Sequence, residues 1–112
     1  MILKRKNRYI LVEASSPLDA VAESRSIEAA MLKVLGELYY SEANPKVVAQ
    51  SDPTLFAIRV NRGQEGRVIL ALSFAREISG RKMGLYTLKT SGTLRALHSL
   101  HGNKASKRIV RV

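Results

Sequence analysis

Cysteine and tryptophan are both absent from this 112-residue chain. Without Cys there is no disulfide framework and no thiolate metal site. Aromatic residues make up only 5% of the chain. The longest apolar runs are a few residues, far below the ~20 that a membrane helix needs. Tyr9–Val12 is too short for the apolar core of a secretory leader before Glu13 interrupts it. These absences predict a soluble, cytoplasmic protein with no membrane partner. Catalytic signatures are missing too: no P-loop, no Gly-x-Gly-x-x-Gly and no Gly-x-Ser-x-Gly. The two His residues, His98 and His101, sit three apart, but no Cys or carboxylate follows Glu77 to complete a local metal site. They read as polar-face residues near a helix end. A lone Glu13 does not supply the carboxylate cluster of a metal-dependent nuclease. The expectation is no catalytic residue, no metal ligand and no cofactor held by the protein.

Acidic residues are the next scarcity: 9 Asp+Glu stand against 19 Lys+Arg, a formal charge of +10. Residues 1–8 hold four basic side chains and no acid, and residues 81–112 hold eight and no acid. The middle, 9–80, holds seven basic residues and all nine acids. Basic charge on two sequence-distant segments makes one basic face if those segments meet in space. Polyanions are then the natural partners. With 46% hydrophobic residues, the chain reads as a single packed domain over 1–112, with 1–6 and 103–112 as flexible basic ends.

The pattern alternates strand and helix. Arg8–Glu13 predicts a strand, with Ile10 and Val12 on one face and Tyr9, Leu11 and Glu13 on the other. Ser16-Pro17 with Asp19 suits a helix entry, with Ser24 and Ser26 as later alternatives. Ile27, Met31, Val34, Leu35 and Leu38 keep helical spacing, and Asn44-Pro45 predicts the stop near Ala43. Gly36 inside this helix costs about 1 kcal/mol against Ala, which suggests close packing against another element, with a plain solvent-facing Gly as the alternative. Lys46–Ser51 and Leu55–Asn61 predict a hairpin around Asp52-Pro53-Thr54. Asn61-x-x-Gln64 reads as the cap of a second helix, running through Val68, Leu72, Ala75 and Ser79 to a stop at Gly80. Met83–Thr90 alternates again, with Met83, Leu85, Thr87 and Lys89 on one face. Ser91-Gly92-Thr93 reads as the cap of a short helix carrying Leu94, Leu97 and Leu100 and ending at Gly102. Arg108–Val112 could add a short strand.

The order β-α-β-β-α-β predicts an α+β, ferredoxin-like (RRM-like) sandwich with a four-stranded antiparallel sheet, two helices on one face and a short C-terminal helix. First and last strands would be neighbours, bringing 1–8 close to 81–90. Ser91, Gly92 and Thr93, where a strand feeds a helix, suit an anion or serve as a plain cap. Tyr9, Phe56 and Tyr86 are the strand aromatics, with no basic-Gly-aromatic run on the third strand, so phosphate contact by Lys and Arg is favoured over base stacking. Tyr39-Tyr40 reads as boundary packing.

Several segments together resemble the archaeal ribonuclease P protein component 2 family. They are Asn7-Arg8-Tyr9-Ile10, Val34-Leu35-Gly36-Glu37, Ile58-Arg59-Val60-Asn61-Arg62, Ser79-Gly80-Arg81-Lys82 and Thr87–Leu94, in order across roughly 7–100. Leu94 stands for the family's Ile, Gln64–Arg67 departs at its helix start, and His98-Ser99-Leu100-His101 is less basic than usual. The tail after Gly102 matches nothing. The resemblance implies a non-catalytic subunit that assists a catalytic RNA in removing the 5′ leader of precursor tRNA, with Mg²⁺ expected for the RNA-based reaction. Implied partners are ribonuclease P RNA, precursor tRNA and the TIM-barrel-type component 3 protein, often as a dimer of heterodimers. Arg8, Arg59, Arg62, Arg81, Lys82, Lys89, Ser91, Gly92, Thr93 and Arg95 are the candidate RNA contacts. The alternatives are another ferredoxin-like RNA-binding protein, such as a ribosomal one, or a small-molecule regulatory module.

Overall fold

A computed structural model describes residues 7–93 and the backbone of 110–111. The chain folds as β1 (Asn7–Ala14), α1 (Ser24–Ala43), β2 (Lys46–Asp52), β3 (Leu55–Asn61), α2 (Glu65–Phe74), β4 (Glu77–Ile78), β5 (Arg81–Lys82), β6 (Leu85–Ser91) and β7 (Val110–Arg111). The main sheet has the order β6-β1-β3-β2-β7, and its paired neighbours are antiparallel. Its first four strands form the expected ferredoxin-like sheet, with the first and third strands central. The tail adds a fifth strand by pairing Val110 and Arg111 with Gln50 and Ala49. The expected helix at 94–102, with His98 and His101, lies outside the described residues.

The alternation in β1 decides the layers. Ile10, Val12 and Ala14 join Phe56, Ile58 and Val60 of β3 beneath the helices, where Ile27, Met31, Val68 and Leu72 complete the core. Each such side chain contributes about 1.5–3 kcal/mol by leaving water. The opposite, outer face carries a second buried cluster of Leu11, Ala49 and Ala57, edged by Tyr9 and Val48. The β2–β3 hairpin turns as expected. Asp52 Oδ1 accepts from Thr54 N–H at 2.8 Å, Thr54 Oγ1 at 3.1 Å and Leu55 N–H at 3.1 Å. Gln50 reaches across the core edge, donating to Leu18 O at 2.7 Å and accepting from Ala20 N–H at 3.0 Å.

Five expectations change. The segment after Pro17 makes a turn, with Glu23 N–H bonded to Asp19 O at 2.8 Å, and α1 starts only at Ser24. Gly36 has φ 77° and ψ 165°, and a Cβ placed on it would meet nothing within 4 Å. It therefore marks a break in α1, not a close approach. Beyond the break the inward register shifts: Tyr40 and Ala43 face the core, while Leu38 is 69% exposed. The helix still ends at Ala43, where Asn44 takes the left-handed conformation and donates to Tyr40 O at 2.8 Å.

The second helix stops at Phe74 instead of reaching Gly80. Ser79 (φ 53°) and Gly80 (φ 79°) form the two-residue turn of a β4–β5 hairpin, in which Ile78 pairs with Arg81. Ile78 still reaches the core from that hairpin, so its burial mimics a continuing helix. The Asn61 side chain does not cap α2; it donates to Glu42 O at 2.7 Å. Finally, β6 carries a bulge: Leu11 pairs with Lys89 but Val12 pairs with Thr87, leaving Leu88 extra. The alternation flips there, so Leu85 and Thr87 keep the core side while Lys89 moves to the outer face.

Candidate nucleic-acid interface

The candidate RNA contacts separate into three places. At one end of the sheet, the start of β1, the end of β3 and the end of β6 converge. Asn7, Arg8, Tyr9, Arg62 and Gly92 line a cleft of about 510 Å³ there. Arg8 lies along Gly92, where a Cβ would come within 3.1 Å of its Nη1. Glu65 Oε2 faces Arg8 Nε at 3.7 Å, and Glu65 Oε1 accepts from Gly63 N–H at 2.6 Å. Ser91 Oγ accepts from Thr93 N–H at 3.2 Å, which folds this strand end back on itself.

The second place is the outer sheet face, away from the helices. Register puts Lys46, Arg59, Tyr9 and Ser91 in one row across four strands. Lys89 stands in the next row, opposite Leu11. Phe56 is buried in the core and offers no ring to solvent, whereas Tyr86 is exposed on the outer face opposite Glu13. Tyr39 carries the Arg67 guanidinium at 4.0 Å from its ring centre, and Tyr40 packs on the core.

The third place is the far end of β1, seven residue steps or about 24 Å away. Ser15 and Gly84 exchange bonds there, N–H to carbonyl at 2.9 Å and N–H to hydroxyl at 2.9 Å. Arg81 and Lys82 belong to this end. Antiparallel pairing of β1 with β6 brings Arg8 to Gly92, not to Arg81, which corrects the expected meeting of the basic arms. Arg81 donates to both Glu23 oxygens, at 3.2 and 3.1 Å, and to Pro17 O at 3.3 Å. The Ser79 hydroxyl, the Asp19 backbone and Arg81 hold the Glu23 carboxyl below its ordinary range, against a smaller desolvation effect. A cleft of about 970 Å³ at this end is lined by Asp19, Glu23 and Asp52 beside Arg81, Pro17 and Pro53. Arg95 lies outside the described residues.

Lys46 is the residue that sequence reasoning missed. It opens β2 as an ordinary polar residue, and only the register with Arg59 places it in the basic row. Among the described residues, no group of three or more His, Cys, Asp or Glu side chains could hold a metal ion. No helix among them is long and apolar enough to cross a membrane.

A ferredoxin-like domain with a cleft at one sheet end lined by Arg8 and Arg62 defines a class of small basic α+β proteins. Residues 8–100 match the model of the Rpp14/Pop5 family, and the chain belongs to that family. It is similar to ribonuclease P protein component 2 of Saccharolobus islandicus, at 33% identity over 103 residues, covering 89% of this chain and 72% of the relative. The Saccharolobus solfataricus protein of the same name is 31% identical over 103 residues, with the same coverage. Among solved structures, a chain in the cryo-EM structure of yeast ribonuclease MRP superposes with TM-score 0.63 at 14% identity, covering 95% of this chain and 96% of that one. That likeness is one of fold.

Proposed function

We infer that the chain is a protein subunit of ribonuclease P. The observation that carries this reading is the family match across residues 8–100. In this reading a catalytic RNA removes the 5′ leader of precursor tRNA, and the protein helps that RNA fold and hold its substrate. The reaction's Mg²⁺ is held by the RNA. The basic sheet end supplies phosphate contacts, whose binding falls with salt as counterions are released.

A protein partner takes the outer side of the helices. Leu38 (69% exposed), Phe74 (57%) and Leu70 (54%) are large apolar side chains facing solvent. Val34 shares a cleft with Phe74, and Glu42 Oε1 meets Arg67 Nη1 at 3.1 Å, so Leu38 and Leu70 fall between those two points. The TIM-barrel-type component 3 protein is the proposed occupant, in a dimer of heterodimers, and the cytoplasm is the proposed location.

Reconstitution tests the reading. Leaving this chain out of an enzyme assembled from ribonuclease P RNA and its other proteins should lower 5′-leader cleavage, and the chain alone should cleave nothing. Undiminished cleavage without it, or Mg²⁺-dependent cleavage by the chain alone, would sink the assignment. Co-purification with a ribosomal RNA instead would favour the alternative RNA-binding role.

A further inference from the structure

The helical side carries a hole as well as exposed apolar side chains, and the chemistry around that hole says what would fill it. We propose that the cleft between the start of α1 and the end of α2 is an anchor pocket, and that it takes one bulky apolar side chain flanked by carboxylates on a segment of a protein partner. The proposal rests on the protein-subunit reading above and names the chemistry of the contact.

The cleft holds about 570 Å³. Ala29, Ala30 and Ala75 line it where two packed helices would ordinarily interdigitate larger residues. Ala30 packs on the core and Ala75 is buried, so these small side chains set the depth of the hole. Val34 and Phe74 also line it, and both are exposed, at 41% and 57%. A large exposed ring beside an unfilled apolar hole is the form of a binding pocket, because a side chain entering it would remove both surfaces from water at once.

The apolar surface continues from the cleft in one direction. Arg67, Leu70 and Phe74 lie three and four apart on α2, and so share one side of that helix. Leu38 extends the strip on α1, because the break at Gly36 turns it outward. At the far end Arg67 bridges the two helices, with its guanidinium over Tyr39 at 4.0 Å and its Nη1 on Glu42 at 3.1 Å. The strip is thus bounded at one end by this bridge and leads at the other into the pocket.

Charge selects the occupant. The rim of the pocket carries Lys33, Arg76 and Glu77, all exposed. Glu77 stands opposite Lys82 across the β4–β5 hairpin. Lys33 and Arg76 make no ion pair among the described residues. Two cations beside an apolar hole match carboxylates next to an apolar anchor. A second copy of this chain is a poor match, since each copy brings a formal charge of +10.

The test measures binding of the full chain to the component 3 protein of the same organism by biolayer interferometry. Ala29→Leu fills the pocket from an exposed helical position and should weaken binding about tenfold or more, as for loss of a buried anchor. Ala29→Ser, which leaves the hole empty, should bind like wild type. Both variants should keep the thermal unfolding midpoint of the wild type, read by circular dichroism. Lys33→Glu with Arg76→Glu should slow association about tenfold at low salt and less at high salt. The photoreactive residue p-benzoylphenylalanine placed at position 29 should cross-link to a partner segment in which a large apolar residue neighbours Asp or Glu.

If Ala29→Leu binds component 3 like wild type, the anchor pocket falls and the subunit reading stands. A cross-link to a segment without acidic residues, to a second copy of the chain, or to RNA overturns the proposed occupant. If the wild-type chain does not bind component 3 at all, the partner reading falls with the pocket.

Discussion

Glu23 and Arg81 join the turn before α1 to the β4–β5 hairpin, 58 residues away in the chain. The Glu23 carboxyl titrates below its ordinary value of 4.5, first because Ser79 donates to it and then through Asp19 and Arg81. A carboxyl whose folded pKa is depressed adds stability above its unfolded pKa. That stability is lost as pH falls through the folded value. Glu23→Gln should therefore lower stability at pH 7 and flatten its decline below about pH 4.5, read from urea unfolding at several pH values. An unaltered pH profile would show that this pair does not feel folding. Arg81 is thus a counter-ion before it is anything else, while Lys82 beside it stays exposed. Sequence cannot make that distinction. Arg8, Arg62 and Arg81 all read as basic residues flanking strands, and what separates them is the ion pairing: Arg8 meets Glu65, Arg81 meets Glu23, and Arg62 meets no carboxylate among the described residues.

Within α1, one glycine reverses an expectation that propensity alone would set. A Gly in a regular helix is improved by Ala, by about 1 kcal/mol. Gly36 instead occupies a region, φ 77° and ψ 165°, open in practice only to glycine. Gly36→Ala should destabilise the fold by about 1–3 kcal/mol, measured by chemical or thermal unfolding. A gain in stability would mean that α1 runs straight. The elements themselves are legible: the strands at β1, β2 and β3, the hairpin turn and the stop at Asn44-Pro45 all follow from alternation and turn residues. The departures share one cause, because each replaces a regular period by a local break. Gly36 breaks α1, Ser79-Gly80 turns back a segment that keeps helical spacing, and the Leu88 bulge flips the face of Lys89. Apolar periodicity reports that Ile78 and Leu85 are buried; it does not report which backbone carries them there.

At the scale of the whole molecule, the described residues present unlike surfaces: a basic sheet end, an acid-lined opposite end, and an apolar helical side. The charge division of the sequence foresaw a basic face, but antiparallel pairing decided which basic residues share it. Only strand register brings Lys46 and Arg59 together. If the helical side is the protein-binding surface, Leu38→Ser with Phe74→Ser should leave RNA affinity and salt slope within error of wild type. The same variant should lose entry into the assembled enzyme. Since both positions are solvent-exposed, each change should move stability by no more than about 0.5 kcal/mol. Normal assembly of the double variant would move the protein interface elsewhere.

The central position of β1 has a consequence for synthesis. The strand made first pairs on one side with residues 55–61 and on the other with residues 85–91. As a ribosome extends the chain, the four strands β6, β1, β3 and β2 cannot all pair until Ser91 has emerged. Until then the apolar face of β1 lacks one neighbour, and the β2–β3 hairpin and α1 must shield it. Folding of this domain is therefore set by long-range pairing, which is slow compared with local helix formation. The side chains left waiting on that strand include Ile10 and Val12, which end fully buried.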